Sequence, residues 1–298
     1  MKKIIMTGFL LLVVGLSFQY RNEILSVFDD NNNEPTSIVN NAYAKTDNYK
    51  YVQLTKDFSP DNIHDIYNIY FTVLNSGMNK FTFYCPKDYK NCLNDIKNIS
   101  NDIKTLSNIN NYVHPYNNFH NIETKYDSNG KVNIIINKLY SKEEINTINI
   151  KVDEIITNII NDKQDINTKV KAIHDYIINN SKYDSLRADN NEIKYKSDKA
   201  YGNLIEGYGI CGGYADSAYI LLNKLGIPVI KISSENHVWN LVNINNNWLH
   251  LDLTWDDPID INGGKDILEY NFFLITNQEL EDINTMQHIY DKKVYTMN

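Results

Sequence analysis

A glycine-rich stretch in the last third of the chain constrains its fold more than any other segment. It reads Gly207-Tyr-Gly-Ile-Cys-Gly-Gly-Tyr-Ala215 and runs into an apolar segment with helical periodicity, 218–225. Cys211 is therefore predicted at the N-terminus of a helix, where unpaired N–H groups and the helix dipole lower the pKa of a thiol. The glycines leave the backbone bare, so that a substrate carbonyl could approach the sulfur. We predict that Cys211 is a catalytic nucleophile.

Composition and charge limit the classes of partner. The 298 residues are 42% hydrophobic and 22% charged, a globular composition with enough length for a full core. The net charge of −8 argues against a nucleic-acid partner, because such proteins normally present a basic face. Three cysteines are too few for a disulfide scaffold. Cys85 and Cys92 could close a small loop in an oxidising compartment or remain free thiols, which leaves Cys211 as the odd, reactive one.

Residues 1–20 carry an export pattern. Lys2 and Lys3 precede an uncharged apolar run that reaches Tyr20, and a positive start followed by such a run is typical of a signal peptide. The run is also just long enough to span a thin bilayer as an uncleaved anchor, with the lysines inside. The sequence leaves both alternatives open. In either case we expect a protein at the cell surface or secreted, which contacts the membrane only through this segment.

Behind this segment the chain divides into three predicted parts. Residues 21–50 are polar and aperiodic, which is typical of a linker. Residues 51–140 predict a small α+β domain, and residues 141–298 predict the catalytic domain, opened by a capping box at Ser141 and Glu144. The predicted elements between these bounds are a helix at 63–74, a strand at 80–84, a helix at 89–106, a hairpin with strands 122–126 and 132–136, and a polar loop at 185–198.

A second hairpin brings two polar residues to one face of a sheet. Its strand candidates flank a run of three asparagines, at 237–244 and 248–254. A two-residue turn or a four-residue loop there puts Trp239 opposite Asp252. His237 and Asp252 then become diagonal neighbours on one face, about 7–8 Å apart at the backbone. A three-residue turn would reverse this relation unless a bulge restored it.

Cys211, His237 and Asp252 thus occur in the order nucleophile, base and orienting carboxylate. His237 takes the thiol proton and later returns a proton to the leaving amine. Asp252 fixes the tautomer and stabilises the imidazolium. The backbone N–H of Cys211 can donate to the oxyanion of a tetrahedral intermediate. A second donor is expected just before the cysteine, where Asn203 and Tyr201 are the candidates.

His174 lies beside the apolar stripe of a predicted helix, a position more typical of a structural histidine than of a catalytic one. Two other histidines compete with His237: His250 lies on the same face as the aspartate, and His288 stands alone near the C-terminus. A zinc site built from Cys211, His237 and His250 lacks paired ligands at metal spacing. We therefore expect no metal and no cofactor.

At these motifs the sequence resembles the transglutaminase-like superfamily, in particular its bacterial exported members. The resemblance covers roughly residues 130–290. The matching pieces are 209–215 around the cysteine, Leu-Gly-Ile-Pro at 225–228, His-Val-Trp-Asn at 237–240, 248–258 around the aspartate, Ile-His-Asp-Tyr at 173–176, Tyr-Asp at 183–184, and 270–274.

The resemblance implies an α+β fold with a papain-like core, in which the nucleophile helix packs on an antiparallel sheet. It implies Cys211, His237 and Asp252 as the catalytic triad. The implied reaction is amide acyl transfer through a thioester, which an amine resolves by cross-linking or water resolves by hydrolysis. Animal-type members use calcium, but no acidic loop here has calcium-site spacing. We expect no metal requirement.

These inferences predict an exported cysteine acyl-transfer enzyme that acts on protein or peptidoglycan-associated amides. The alternative is a non-catalytic module that keeps the same fold to present a binding groove at the cell surface. A complete triad speaks against this alternative, since a scaffold has no need of all three residues.

Overall fold

A computed structural model describes residues 36–258 and 267–296. The predicted signal or anchor at 1–20 and the first half of the predicted linker, 21–35, lie outside the described residues. From residue 37 onward the chain forms one unit by its internal contacts. Within the described ranges, no helix combines the length and the apolar character needed to cross a bilayer.

The first part of this unit contains a three-stranded antiparallel sheet with strand order β1-β3-β2. Its hairpin, β2 with β3, is the one that the sequence predicts. The elements are helix α1 (Ile63–Ser76), strand β1 (Lys80–Tyr84), helices α2 (Cys92–Asn101) and α3 (Ile103–Asn110), a 3₁₀ turn (Pro115–Asn117), and strands β2 (Phe119–Tyr126) and β3 (Lys131–Lys138).

Two details of this part go beyond the sequence prediction. The single helix expected over 89–106 is divided in two, because the side chain of Asp102 accepts a hydrogen bond from the backbone N–H of Thr105 and so caps α3. Cys85 and Cys92 form a disulfide between the end of β1 and the start of α2. The disulfide decides the alternative that the sequence leaves open.

The second part of the unit contains the nucleophile helix and a four-stranded antiparallel sheet in the order β6-β7-β8-β9. A parallel pair, β4 with β5, lies before the helix. The elements are α4 (Lys142–Ile159), α5 (Ile166–Asn180), β4 (Lys182–Tyr183), α6 (Ser185–Asn190), a π-helical turn (Gly202–Glu206), β5 (Tyr208–Gly209), α7 (Cys211–Lys224), β6 (Val229–Ser233), β7 (Val238–Ile244), β8 (Asn247–Leu251), β9 (Phe273–Ile275), α8 (Asn277–Ile283) and a 3₁₀ turn (Met286–His288).

Capping residues determine where helices α4 and α6 begin. Ser141 and Glu144 form the predicted capping box of α4, each bonded to the other's backbone N–H. Helix α6 corrects the polar loop expected over 185–198. It forms because the carboxylate of Asp184 accepts a hydrogen bond from the backbone N–H of Arg187.

The β6–β7 sheet is buried on both faces, which explains why the two parts of the unit pack as one. Val229 and Val242 lie in the core under α7, whereas Ile232 and Trp239 share a core with the first part of the unit. This alternation follows from the period of two along a strand. The fold class is α+β with the nucleophile helix on an antiparallel sheet, as predicted. The structure does not divide the chain at residue 140.

The predicted linker at 21–50 is bonded to the folded unit over its described part. Residues 36–50 contain no helix or strand, in line with their aperiodic sequence. Nevertheless, the ammonium group of Lys45 donates to the hydroxyl groups of Tyr49 at 3.0 Å and Tyr219 at 2.9 Å, and to the carbonyl of Val229 at 3.2 Å. Since Tyr219 lies on α7, this part of the chain supports the nucleophile helix.

A buried ion pair joins α7 to the sheet. The ammonium group of Lys231 on β6 lies 2.7 Å from Oδ1 of Asp216 on α7, and both side chains are less than a tenth exposed. The hydroxyl of Tyr140 donates to Oδ2 of the same aspartate at 2.7 Å. Each charge therefore depends on the other for compensation.

Replacing Lys231 by Met is expected to lower the free energy of unfolding by about 3–5 kcal/mol, because Asp216 would then be a buried, uncompensated charge. Urea unfolding at neutral pH measures this loss. Lys151→Met is the matched control, since its partner Glu154 is 58% exposed, and its expected loss is at most about 0.5 kcal/mol. Equal losses in the two variants would contradict the role assigned to the buried pair.

Candidate active site

Cys211 is the first residue of α7, as the sequence predicts. Ile210 precedes it in an extended conformation and provides no side-chain cap, so the N–H groups of the first turn face no capping side chain. The cysteine is a partly exposed free thiol. A nucleophile in this position is accessible and lies at the positive end of the helix dipole.

The two positions after the cysteine require glycine for a different reason than the one expected. A Cβ atom on Gly212 would lie 2.7 Å from the carbonyl oxygen of Asp198, and one on Gly213 would lie 2.4 Å from that of Ser197. Neither position has room for a side chain. The glycines therefore allow the loop 196–199 to press against the first turn of α7, which corrects the prediction that they bare the sulfur to substrate.

The loop 196–199 is in turn held by ionic contacts to α4. The ammonium groups of Lys196 and Lys199 lie 2.7 and 2.8 Å from Oε1 of Glu144. The backbone N–H of Ile210 donates to the carbonyl of Ser197 at 2.8 Å. Burial opposes the charge of Glu144, but the hydrogen bonds from the two lysines outweigh it and lower the pKa of Glu144 to about 2.

The acid dependence of stability tests this clamp. The depressed pKa of Glu144 stabilises the fold fully above its unfolded value of 4.5, and this contribution is lost as the pH falls towards about 2. The difference in unfolding free energy between wild type and Glu144→Gln is therefore expected to be largest above pH 4.5 and to close towards pH 2. Urea unfolding across this range measures it. For Glu154→Gln, an exposed control on the same helix, a difference of similar size would contradict the clamp.

The β7–β8 hairpin has the predicted register. Asn245 and Asn246 have φ of 52° and 66°, the two left-handed positions of a type I′ turn. Ile244 pairs with Asn247, as expected from a two-residue turn. The ladder ends one pair before Trp239 would face the aspartate, because β8 stops at residue 251.

His237 and Asp252 therefore lie just outside the two strands, one before β7 and the other after β8. Nε2 of the imidazole lies 2.5 Å from Oδ2 of the carboxylate, and both side chains are almost fully buried. The backbone N–H of Asp252 donates to the carbonyl of Phe272 at 3.1 Å. The sequence prediction that the aspartate orients this histidine matches the geometry.

The electrostatics of this pair favour an imidazolium. Burial lowers the pKa of His237, but the charge and hydrogen bond of Asp252, together with a hydrogen bond to Cys211, raise it to about 10. Burial raises the pKa of Asp252, but the charge of His237 and the hydrogen bonds from His237 and His288 outweigh this effect. They hold the pKa of the carboxyl well below its usual range. Because Nε2 faces the carboxylate, Nδ1 is the ring nitrogen available to the sulfur. The structure thus brings the three predicted site residues together.

His288 joins this site, which the sequence did not predict. Its Nε2 lies 2.9 Å from Oδ2 of Asp252. The other carboxylate oxygen accepts hydrogen bonds from the backbone N–H groups of Thr254 at 3.0 Å and Trp255 at 3.2 Å. The description of His288 as standing alone is therefore wrong. A distance of 36 residues along the chain left no spacing signal by which to pair it with the aspartate.

Three side chains of this site could also hold a metal. His237, Asp252 and His288 each offer a ligand atom, and these atoms lie within 4.8 Å of one another. Two imidazoles and a carboxylate are ligands that zinc accepts. However, both ring nitrogens already contact the same carboxylate oxygen at hydrogen-bond distances, so a metal would have to displace a proton from each. The arrangement fits two hydrogen bonds better than a metal.

His250 and His174 have structural partners. Nδ1 of His250 accepts a hydrogen bond from the indole N–H of Trp239 at 3.0 Å, and its Nε2 lies 2.7 Å from Oδ1 of Asn277. Burial lowers the pKa of His250 to about 4. Nε2 of His174 lies 3.1 Å from Oδ2 of Asp256. The last contact ties the segment after the triad aspartate to α5, in agreement with a structural role for His174.

The two expected oxyanion donors, Asn203 and Tyr201, have different surroundings. The amide group of Asn203 is buried and has no hydrogen-bond partner within the described residues. A Cβ atom on Gly209 would lie 2.6 Å from its nitrogen, so the amide is next to the backbone that leads to the cysteine. Tyr201 packs under the ammonium group of Lys196 instead. The second oxyanion donor stays a prediction.

Tyr183 is a polar residue near the sulfur that the sequence reasoning did not assign a role. It pairs with Gly209 between β4 and β5 and is half-buried. Burial and the negative charge of Cys211 raise the pKa of its hydroxyl. Because its strand partner Gly209 lies two residues before the cysteine, the hydroxyl of Tyr183 is a further group that a bound substrate could meet.

A comparison with known protein families covers the segment that contains the three site residues. Residues 153–253 match the transglutaminase-like superfamily. The chain carries a transglutaminase-like domain. The superfamily consists mainly of cysteine enzymes of acyltransferase and protease-like types, and some members are inactive.

The other comparisons are weaker. A solved structure described as a TGase is 17% identical, with a TM-score of 0.36 over 46% of this chain and 44% of that one. The chain thus spans less than half of that structure. No curated protein matches the sequence. The transglutaminase-like domain as matched contains Cys211, His237 and Asp252, whereas Glu144 and His288 lie outside it.

Proposed function

We propose that the chain is an exported cysteine acyl-transfer enzyme that forms a thioester on Cys211 from a protein or peptidoglycan-associated amide. One observation carries this proposal. His237 stands between the thiol and the buried carboxylate of Asp252, bonded to both. A structural histidine gains nothing from a partly exposed thiol on one ring nitrogen, whereas a catalytic one needs it.

The first half-reaction uses these groups in sequence. The thiolate of Cys211 attacks the amide carbonyl carbon, a C–S bond forms, and the carbonyl electron pair moves to oxygen. The backbone N–H of Cys211 donates to this oxyanion. Collapse of the intermediate breaks the C–N bond, and the leaving amine takes the proton from the imidazolium of His237. The product is a thioester and a neutral imidazole.

The second half-reaction reverses these steps with a different nucleophile. An amine or a water molecule gives its proton to the neutral His237 as it attacks the thioester carbonyl. Collapse expels the thiolate of Cys211 and regenerates the ion pair. Asp252 keeps the ring oriented and compensates its positive charge in both halves. An incoming amine gives cross-linking, and water gives hydrolysis.

Two features of the chain support export. The positive, apolar segment at 1–20 is typical of a signal or an anchor. The disulfide between Cys85 and Cys92 is of a kind that persists in oxidising compartments and is rare in the cytosol. Substrates outside the cytoplasm follow from export. The acidic net charge of −8 fits no nucleic-acid partner, and the proposed chemistry needs no cofactor.

The decisive experiment incubates the full chain with casein and a fluorescent primary amine, followed by mass spectrometry of the glutamine side chains. Incorporation of the amine identifies cross-linking, and conversion of glutamine to glutamate, seen as the mass increase of a deamidation, identifies hydrolysis. Cys211→Ala and His237→Asn are expected to lose activity by about 10⁴-fold or more. His250→Asn, a buried histidine of the same hairpin, is the control that is expected to remain active. Full activity in Cys211→Ala would end the proposal and leave the binding module as the better explanation.

The pH profile tests the role of the imidazolium. Only protonated His237 can supply the proton to the leaving amine, and its raised pKa of about 10 means that this form persists across neutral pH. We expect kcat/KM for amide acylation to fall only as the pH rises through about 10. In Asp252→Asn, which lacks the charge that raises the pKa, the fall should occur at lower pH. An unchanged profile in that variant would contradict the assigned role of the carboxylate.

A further inference from the structure

His288 contacts the carboxylate of the triad from a part of the chain that the matched domain does not include. The match ends at residue 253, and His288 closes the 3₁₀ turn that begins at Met286. Its side chain is 2% exposed, as buried as that of Asp252 itself. Both imidazoles of the site therefore approach Oδ2 of one carboxylate, His237 at 2.5 Å and His288 at 2.9 Å.

The hydrogen-bond partners of His288 define its tautomer. A carboxylate with a depressed pKa only accepts, so Nε2 of His288 must carry the proton in this contact. Its Nδ1 forms a short contact with the hydroxyl of Thr285, which donates to this nitrogen when the ring is neutral. In this tautomer both ring nitrogens of a neutral imidazole are satisfied.

The surroundings of the ring are aromatic and hold it in one orientation. The ring of His288 stacks on Phe272 with centroids 4.8 Å apart at 13° between planes. The edges of Trp239 at 4.9 Å and Trp255 at 5.1 Å enclose it further. Such an apolar cage provides no alternative partner for the N–H group, so the hydrogen bond to Asp252 cannot be exchanged for one to water.

Several titratable groups surround the carboxylate of Asp252. The titratable groups that interact with the carboxylate in the described part of the chain are His237, His288, Asp256 and His250. One carboxylate can compensate one positive charge, and the rings of His237 and His288 have centroids only 5.3 Å apart. Of these two rings, His237 also contacts the thiol of Cys211, so it is the ring placed to exchange a proton with the nucleophile.

We propose that His288 is a positioning residue of the active site, which donates a hydrogen bond to Oδ2 of Asp252 and thereby fixes the carboxylate that orients His237. This inference rests on the proposed function, because the positioning acts through the triad. The second donor has two consequences. It prevents rotation of the carboxylate. It also shares the oxygen that accepts the hydrogen bond from His237, which weakens the hydrogen bond between His237 and Asp252.

The experiment begins with the wild-type full chain labelled with ¹⁵N at histidine. Long-range proton–nitrogen correlation spectra report which ring nitrogen carries the proton. The proposal requires the Nε2–H tautomer at His288 and two slowly exchanging imidazole N–H resonances far downfield, one from each histidine. A Nδ1–H tautomer at His288 would overturn the proposal without any variant.

Variants then separate positioning from packing. His288→Phe keeps the ring shape and removes the donor, so the remaining resonance of His237 is expected to move further downfield and kcat to fall about tenfold with KM unchanged. His288→Gln places an amide nitrogen near the position of Nε2 and is expected to restore both readouts in part. Met286→Ala, at an 87% exposed position of the same turn, is the control and should change neither.

The outcomes distinguish this inference from the proposed function. If wild type incorporates amine or deamidates casein, but His288→Phe leaves the resonance of His237 and kcat unchanged, His288 has only a packing role and the inference is wrong. If wild type is inactive while the tautomer and the downfield shift are as expected, the proposed reaction fails and the hydrogen-bond assignment stands.

Discussion

The buried carboxylate of Asp252 is the group on which the arrangement of the site depends. A charged carboxylate in an apolar interior is strongly unfavourable unless each oxygen is hydrogen-bonded and a positive charge lies close by. Here the compensation comes from separate parts of the chain: the residue before β7, the turn after β8 and the C-terminal 3₁₀ turn. These parts can satisfy the charge only when they are folded together. The same requirement fixes the ring of His237 at the thiol.

The nucleophile is positioned by contacts that have no chemistry of their own. Helix α7 carries Cys211 at its start, and the two following glycines admit the carbonyl groups of loop 196–199. Glu144 on α4 holds that loop through two lysines. Further along α7, Asp216 pairs with a lysine of the sheet. Because the helix is held at several points, the distance between its first residue and the hairpin histidine is a property of the whole unit.

The first part of the unit contributes to the stability of the sheet that carries the site. One core cluster contains side chains of its sheet together with Ile232 and Trp239 of the β6–β7 sheet, and Lys45 reaches α7 and β6. The site-bearing sheet would expose an apolar face without this cover. The matched domain at 153–253 therefore describes the chemistry-bearing segment rather than a separate body.

Local physics made much of the structure predictable. The capping box at Ser141, the type I′ turn at Asn245 and the helix start at Cys211 depend on neighbouring residues, so the sequence by itself determined them. The turn also determined the register that brings His237 and Asp252 to one end of the hairpin. The division of the helix predicted at 89–106 also depends on a neighbouring residue, the capping Asp102. However, the apolar periodicity on both sides of this aspartate favours one continuous helix, and a single capping residue is weaker evidence than that periodicity.

Only the tertiary structure decided what depends on contacts distant in sequence. The second histidine on Asp252, the carbonyl groups that explain Gly212 and Gly213, and the sharing of one core by both parts all join segments with no common periodicity or spacing. A sequence pattern reports which face of an element is apolar, but not which distant element covers that face. The triad could therefore be predicted from the sequence, whereas the groups that hold it in place became visible only in the fold.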